Sequence, residues 1–206
     1  DWGTQDHHVA VMAQIDNQGR WTVSDELVCD GIPRGQFFHR LTRWVDGHSQ
    51  EHGGTAPALF GVDRAVPVEN QKLQAYYPET PIRWMEKRQD QKVRTGIEHV
   101  RDMLDPYSGE PLLRVSQSIS HIVTGATAPL IPAMRGYCYH LDASGHPTTV
   151  PKKDNTNDHI CDALRYMVSA SANRPELHGG RTLFERPRAQ PRDPGAYGVG
   201  RSDQQW

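Results

Sequence analysis

The stretch NDHICDALRY at residues 157–166 is the most informative segment of this chain. It places Asp158 and Asp162 four residues apart, and His159 and Asp162 three apart, so the three side chains share one face of a helix. Nearby positions are apolar and would seat this helix on a core: Ile160, Ala163, Leu164 and Met167. A helix that buries one flank while presenting two acids and a histidine indicates a metal site.

Two further carboxylates lie far from this helix in the sequence. Asp1 begins the chain in Asp-Trp-Gly, and Asp63 follows the apolar run ALFGV at residues 58–62. Only the fold can bring these two acids to Asp162. Two acids at strand ends and a third on a late helix are typical of a divalent-metal site that cuts nucleic acid, because Mg²⁺ and Mn²⁺ prefer oxygen ligands. Two such ions about 4 Å apart would activate a water and stabilise the leaving oxygen.

Each of these residues also has an ordinary structural interpretation. Asp1 could be an ordinary terminal carboxylate, and Asp63 could be a loop or cap residue. Asp158 could cap its helix, His159 could be a surface histidine, and Asp162 could form a structural ion pair. The ion pair would join Asp162 to Arg165 or Lys153. The joint pattern of order and setting favours the metal site.

The apolar periodicity predicts an α/β domain over residues 1–172. Strands are predicted at residues 9–15, 20–28, 58–62, 82–85, 112–115 and 137–139. Helices are predicted from Pro33 onward and at residues 68–77, 93–104 and 156–172. This order predicts a mixed central sheet flanked by helices. Residues 173–206 are rich in Pro, Gly and Arg, and this composition predicts a tail that is disordered or ordered by a partner.

Three motifs together carry a resemblance to a known family. Asp-Trp-Gly at residues 1–3, Gly-Val-Asp at 61–63 and the stretch at 157–166 resemble the nuclease domain of the large terminase subunit of tailed bacteriophages. The likeness covers residues 1–172 and implies an RNase H-like fold with metal-dependent cleavage of concatemeric viral DNA during genome packaging. By position, Asp1, Asp63 and Asp162 match the catalytic, metal-binding acids of that family. His159 matches a histidine beside the metals in some members, and Asp158 would be an accessory acid.

The resemblance also implies cofactors, partners and a place of action. The cofactor would be Mg²⁺ or Mn²⁺, with two ions expected. The partners would be double-stranded DNA, the terminase ATPase domain, the small terminase subunit and the portal. The domain would act in the cytoplasm of the infected bacterial host, transiently at the procapsid portal.

The chain departs from a complete large terminase in two ways. The sequence contains no Gly-x-x-x-x-Gly-Lys-Ser/Thr phosphate loop, so this chain does not hydrolyse ATP by that route. Asp1 should end a hydrophobic strand, yet the sequence begins at that residue. We therefore expect the first strand to be truncated and the chain to be a piece of a longer polypeptide.

The charge balance limits how this chain can bind DNA. Its 23 Lys and Arg against 25 Asp and Glu give a net charge of −2, which excludes tight binding by charge alone. The residues predicted to touch phosphates are Lys152 and Lys153 before the late helix, and Lys87 and Arg88 in a loop. None of them suggests base readout, so we expect little sequence specificity. There is no apolar run of about 20 residues, as a membrane span would need.

Two other functions remain open for this sequence. The same fold could serve a junction resolvase or a ribonuclease H-type nuclease. Alternatively, the acids could be structural, and the domain could dock on a portal or another partner without catalysis.

Overall fold

Five helices and seven strands form the described part of the chain. The computed structural model describes residues 2, 7–51, 53–63, 65–83, 92–105, 110–171 and 177. The strands are β1 (His7–Ile15), β2 (Trp21–Asp30), β3 (Phe60–Gly61), β4 (Ile82–Arg83), β5 (Leu113–Thr124), β6 (Tyr139–Leu141) and β7 (Pro147–Pro151). The helices are α1 (Arg34–Glu51), α2 (Pro67–Tyr76), α3 (Lys92–Leu104), α4 (Leu130–Gly136) and α5 (Asp158–Ser171).

The main sheet has the strand order β1-β2-β5. β1 and β2 form the predicted antiparallel hairpin, with His7 opposite Asp30 and Ile15 opposite Trp21. The turn is closed by the side chain of Asp16, which accepts hydrogen bonds from the backbone N–H groups of Gln18 and Arg20. β5 runs parallel to β2, so the sheet is mixed as predicted.

A bulge in β2 lets both ends of this strand bury apolar residues. The register with β1 skips one residue, since Met12 lies opposite Asp25 and Ala13 lies opposite Val23. An extra residue reverses the faces of a strand beyond it. Val23 and Val28 therefore belong to the same core although their spacing is odd.

Two cores lie on the two faces of the main sheet. One joins the sheet to α3, α4 and α5, and includes Val9, Val28, Ile160 and Leu164. The other joins it to α1 and includes Leu27, Phe37 and Trp44. Successive residues of β1 contribute to the two cores in turn, as expected for a strand that is buried on both faces.

A second, two-stranded sheet ends two residues before the candidate acid Asp63. β3 and β4 are parallel, with Phe60 opposite Ile82 and Gly61 opposite Arg83. α5 packs on both β1 and β3 and so connects the two sheets. The strand predicted at residues 58–62 is reduced to Phe60–Gly61, because Phe60 and Gly61 are the residues that pair with β4.

An apolar cavity of about 410 Å³ lies between the outer edge of β1 and the segment around β3. Trp2, Phe37, Leu73 and Met167 are among the side chains that line it. In the described part of the chain, β1 pairs with β2 alone. Residues of both β1 and β3 line this cavity.

Other differences from the sequence predictions concern the later strands. The strand predicted at residues 112–115 extends to Thr124, because it pairs with β2 along most of its length. Of the strand predicted at residues 137–139, only Tyr139 lies in β6, and the hairpin that β6 forms with β7 was not predicted from the sequence. Of residues 173–206 only Leu177 is described, so the predicted tail lies almost wholly outside the described residues. No helix in the described ranges has the length and apolarity to cross a membrane.

Candidate metal and nucleic-acid site

Asp162 lies buried on α5 between two cations. Its Oδ2 is 2.5 Å from Nζ of Lys153, and its Oδ1 is 3.0 Å from Nη2 of Arg165. Burial by itself would raise the pKa of Asp162, but the charges of Arg165 and Lys153 outweigh it and hold that pKa below its usual value. Asp162 is therefore an ionised carboxylate inside the protein. Both pairings considered from the sequence are formed in this structure.

Asp158 faces the same ammonium from one turn earlier on α5. Its Oδ2 is 3.3 Å from Nζ of Lys153, and its side chain is 2% exposed. Among the described residues, the buried Oδ1 of Asp158 has no hydrogen-bond partner. A buried carboxylate oxygen without a donor is costly, and a cation is one way to satisfy it.

Lys153 therefore bridges two buried carboxylates with a single charge. Partial burial of its side chain would lower its pKa, but Asp162 and Asp158 outweigh this and raise it. The ammonium of Lys153 therefore occupies the position that any cation shared by Asp158 and Asp162 would take.

Asp63 lies near α5 because β3, the strand that precedes it, packs directly against this helix. A Cβ on Gly61 would lie 2.6 Å from Cα of Met167 and 2.6 Å from the carbonyl oxygen of Tyr166, so only glycine allows the approach. Two residues later, half-buried Asp63 accepts a hydrogen bond at Oδ1 from the N–H of Ala65 at 2.9 Å. Burial and then the charge of Asp162 raise the pKa of Tyr166, and the charge of Asp63 adds to this. Tyr166 thus lies within the electrostatic reach of both acids.

His159 is buried and belongs to a second polar cluster at the end of the main sheet. Its ring stacks on the ring of His7, with centroids 5.2 Å apart and an interplanar angle of 19°. The Nδ1–H of His7 donates to Oδ1 of Asp30 at 3.1 Å. Thr127 fixes Asp30 in turn, through its N–H at 2.7 Å and its hydroxyl at 2.8 Å.

Asp30 is ionised in this cluster. Partial burial would raise its pKa, but the donors of Thr127 and His7 lower it below the usual value. The sequence did not single out His7, Asp30 or Thr127. The only signal was His7 at the start of a strand and Asp30 at the end of the next, which a hairpin register places opposite each other.

Asp1 lies outside the described residues, but its neighbour Trp2 is described and buried. The indole Nε1–H of Trp2 donates to Oδ1 of Asn70 at 2.9 Å, and Nδ2 of Asn70 donates to the backbone carbonyl of Asp63 at 2.7 Å. The residue after Asp1 is therefore connected to Asp63 through one side chain. Asn70 was not identified from the sequence, where it is one polar residue among several on its helix.

The predicted DNA contacts divide into two groups. Lys87 and Arg88 lie outside the described residues. Lys152 is exposed, and its backbone N–H donates to the carbonyl of Cys138 at 2.8 Å. Lys153 faces the acids of α5, so its ammonium can bind a phosphate only by leaving them.

The donor set fits a hard divalent cation. Within the part of the chain that the structure describes, no three His, Cys, Asp or Glu side chains converge closely enough to hold a metal ion. Asp158 and Asp162 nevertheless present buried carboxylate oxygens to the ammonium of Lys153, and Oδ1 of Asp158 accepts no hydrogen bond from the described residues. Oxygen donors of this kind suit Mg²⁺ and Mn²⁺.

Comparisons with known proteins bear on the fold. No protein-family model matches this chain, and no curated protein matches it. Among solved structures, the chain is similar to the nuclease domain of g2p, the large terminase of bacteriophage SPP1, determined with bound Mn. The two share 20% sequence identity with a TM-score of 0.51, and the match covers 82% of this chain and 80% of the other. The resemblance predicted from the three motifs is thereby confirmed for the fold: this chain has the α/β fold of a phage large-terminase nuclease domain.

Proposed function

We propose that this chain is a metal-dependent DNA endonuclease domain that cleaves concatemeric viral DNA during genome packaging. The observation that carries the proposal is a pair of buried acids on α5, Asp158 and Asp162, which share the ammonium of Lys153. This pair lies within the fold of a terminase nuclease domain. Buried like charges are expensive unless a cation compensates them. The helix that carries this pair packs against β3, the strand that precedes Asp63, and this supports a metal role.

Each residue of this site has a proposed role in metal binding or in orienting a ligand. Asp1, Asp63 and Asp162 would hold the ions, with Asp158 and His159 beside them. Two ions of Mg²⁺ or Mn²⁺ would supply an activated water and stabilise the leaving oxygen of a phosphodiester. Arg165 would keep Asp162 ionised and oriented through its two hydrogen bonds, at 3.2 Å from Nε and 3.0 Å from Nη2.

The cations around the site would bind the DNA backbone. Lys153 would exchange its carboxylate partners for a phosphate when a metal neutralises the acids. Lys152, Lys87 and Arg88 would add phosphate contacts, without reading bases. The net charge of −2 makes tight binding depend on partners, for which we propose the terminase ATPase domain, the small subunit and the portal. The place of action would be the host cytoplasm and, transiently, the procapsid portal.

Plasmid nicking tests this function. The parent should convert supercoiled DNA to open-circular and linear forms with Mg²⁺ or Mn²⁺, and EDTA should stop the reaction. Asp162→Ala should not nick, whereas Asp142→Ala, which changes an exposed acid on the β6–β7 turn, should nick like the parent. A parent that is inactive with both metals would contradict the proposal.

A substrate panel separates the related nuclease functions. The parent should cut linear duplex DNA at least as well as four-way junctions or RNA–DNA hybrids. Preferential cutting of junctions would indicate a resolvase, and preferential cutting of hybrids would indicate a ribonuclease H-type enzyme. If Asp63→Ala and Asp162→Ala both cut like the parent, the acids are structural and a docking role is favoured.

A further inference from the structure

Asn70 occupies an inward position of α2 that an apolar residue would ordinarily take. Its side chain is 6% exposed, whereas Val68 on the same helix is 56% exposed. Buried amides require partners, because a buried polar group without a hydrogen bond destabilises the folded protein. A polar side chain at this buried position therefore indicates that the amide makes specific hydrogen bonds.

Both ends of the Asn70 amide are used, and the chemistry of the partners fixes its orientation. An indole N–H can only donate, so Oδ1 must face Nε1 of Trp2 at 2.9 Å. A backbone carbonyl can only accept, so Nδ2 must face the carbonyl of Asp63 at 2.7 Å. Flipping the amide would lose both hydrogen bonds.

The Trp2 end of this bridge is held in place by its surroundings. The indole meets the ring of Phe37 edge to face at 5.6 Å and stacks on Phe38 at 6.4 Å. The Nδ1–H of His8 donates to the Trp2 carbonyl. A tryptophan fixed on its side chain and its backbone makes a firm anchor for the amide.

The Asp63 end of the bridge holds the backbone at the point where β3 ends. The bond from Asn70 goes to the Asp63 carbonyl, and the Asp63 carboxylate separately accepts the N–H of Ala65. Backbone and side chain of this acid are thus both restrained.

We propose that Asn70 is a positioning residue that fixes Asp63 after the end of β3, against the anchored indole of Trp2, so that the Asp63 carboxylate can bind a divalent metal ion. This inference rests on the proposed function in that it takes Asp63 as a metal ligand. Asn70 touches neither substrate nor metal in this role; it acts through Trp2 and Asp63. Partners that orient metal ligands in this way typically change metal affinity about 10- to 100-fold when they are lost.

Mn²⁺ binding to the whole chain tests the proposal, measured by titration calorimetry and by the loss of the free-ion electron paramagnetic resonance signal. Asn70→Ala and Trp2→Phe each break the bridge, and each should weaken Mn²⁺ binding about tenfold. The double variant should be no weaker than Asn70→Ala, because both changes remove one connection. In DNA nicking, the variants should need more Mn²⁺ for half-maximal rate but approach the parent rate at saturation.

Gln74→Ala is the matched control. Gln74 lies one turn later on α2 and donates to the carbonyls of Tyr77 and Thr80, away from the acids. It should lower the melting temperature without changing Mn²⁺ affinity. If Asn70→Ala does not fold, the Mn²⁺ affinity of Trp2→Phe tests the inference. This variant keeps an aromatic ring against Phe37 and removes the indole N–H that donates to Asn70.

The outcomes separate this inference from the proposed function. Variants that melt earlier yet bind Mn²⁺ like the parent would overturn the inference and leave the nuclease proposal standing. A parent that binds Mn²⁺ in an Asn70-dependent way but does not cut DNA would support the positioning role and contradict the nuclease function. A parent that does not bind Mn²⁺ would overturn both.

Discussion

The ammonium of Lys153 lies 2.5 Å from Oδ2 of Asp162 and 3.3 Å from Oδ2 of Asp158. Both carboxylates are buried, whereas the lysine side chain is 58% exposed. The lysine is thus the member of the cluster that can turn to solvent or to a phosphate while the two acids stay buried. Lysine and a divalent ion would compete for the same oxygens.

Lys153→Met should therefore bind Mn²⁺ more tightly than the parent. The competing pair is partly exposed and worth about 0.5–1 kcal/mol, which corresponds to a few-fold change in affinity. The same variant should bind DNA more weakly, with a salt dependence reduced by about one phosphate contact. Calorimetry with Mn²⁺ and DNA binding across salt concentrations measure both effects. Lys152→Met, which lies outside the carboxylate pair, should leave Mn²⁺ affinity unchanged; equal effects of the two variants would contradict this competition.

Gly61→Ala should separate β3 from α5. The added Cβ would meet the backbone of Met167 and Tyr166 at 2.6 Å, and backbone cannot move aside as a side chain can. We expect a loss of about 1–3 kcal/mol in the free energy of unfolding, together with weaker Mn²⁺ binding as Asp63 moves away from α5.

Gly47→Ala is the control for that change. Gly47 lies within α1, and a Cβ added there would have nothing within 4 Å, so alanine should stabilise the helix by about 0.5–1 kcal/mol. Urea unfolding and Mn²⁺ titration of both variants check the pair. Equal stability of the two would show that the close approach of β3 to α5 is not required.

His7 should orient His159 through the face of its ring. His7→Ala removes the stacked surface and should lower the cleavage rate about tenfold at subsaturating metal, as loss of an outer-shell partner does. His7→Phe keeps a flat ring 5.2 Å from that of His159 and should retain most of the rate. The measurement is nicking rate against Mn²⁺ concentration, with the exposed His146→Ala as control. A His7→Phe variant as slow as His7→Ala would show that the hydrogen bond to Asp30, and not the stacking, is what matters.

The carboxylate of Asp154 should make stability depend on pH in acid. Slight burial would raise its pKa, but hydrogen bonds from the backbone and side chain of Asn157 and the backbone of Thr156 lower it to about 2 from 3.8. Because the folded-state pKa is depressed, this stabilisation is present above pH 3.8 and is lost as the pH falls through about 2.

Urea unfolding between pH 5 and pH 2 measures this contribution. The parent should lose more stability over that range than Asp154→Asn, which cannot titrate at this position. At pH 7 the variant should be less stable by about 1 kcal/mol, as for other residues that accept N–H groups where a helix begins. Parallel pH profiles of the two proteins would contradict the assignment.

The elements with strong periodicity were predictable from the sequence. α5 and the hairpin of β1 and β2 lie within two residues of their predicted bounds, because each carries a clear apolar pattern. β5 was predicted too short, because its length comes from pairing with β2 about 90 residues earlier. Local patterns contain no information about such a partner.

The supporting residues of the site were not predictable for a similar reason. Thr127 binds Asp30 across 97 positions, and Asn70 meets Trp2 across 68. Each is an ordinary polar residue in its own segment and acquires its role only through the distant partner. Gly61 carried a faint signal, since a glycine inside a short apolar strand indicates a close backbone approach.

The most direct test of the metal site is Mn²⁺-dependent plasmid nicking by Asp63→Asn and Asp162→Asn, with folding checked by thermal melting. Both variants keep the shape of the side chain and remove its charge. We predict that each folds and loses nicking activity by more than about 100-fold, beyond the typical cost of losing an outer-shell partner. Nicking at the parent rate by either folded variant would contradict the assignment of these acids as metal ligands.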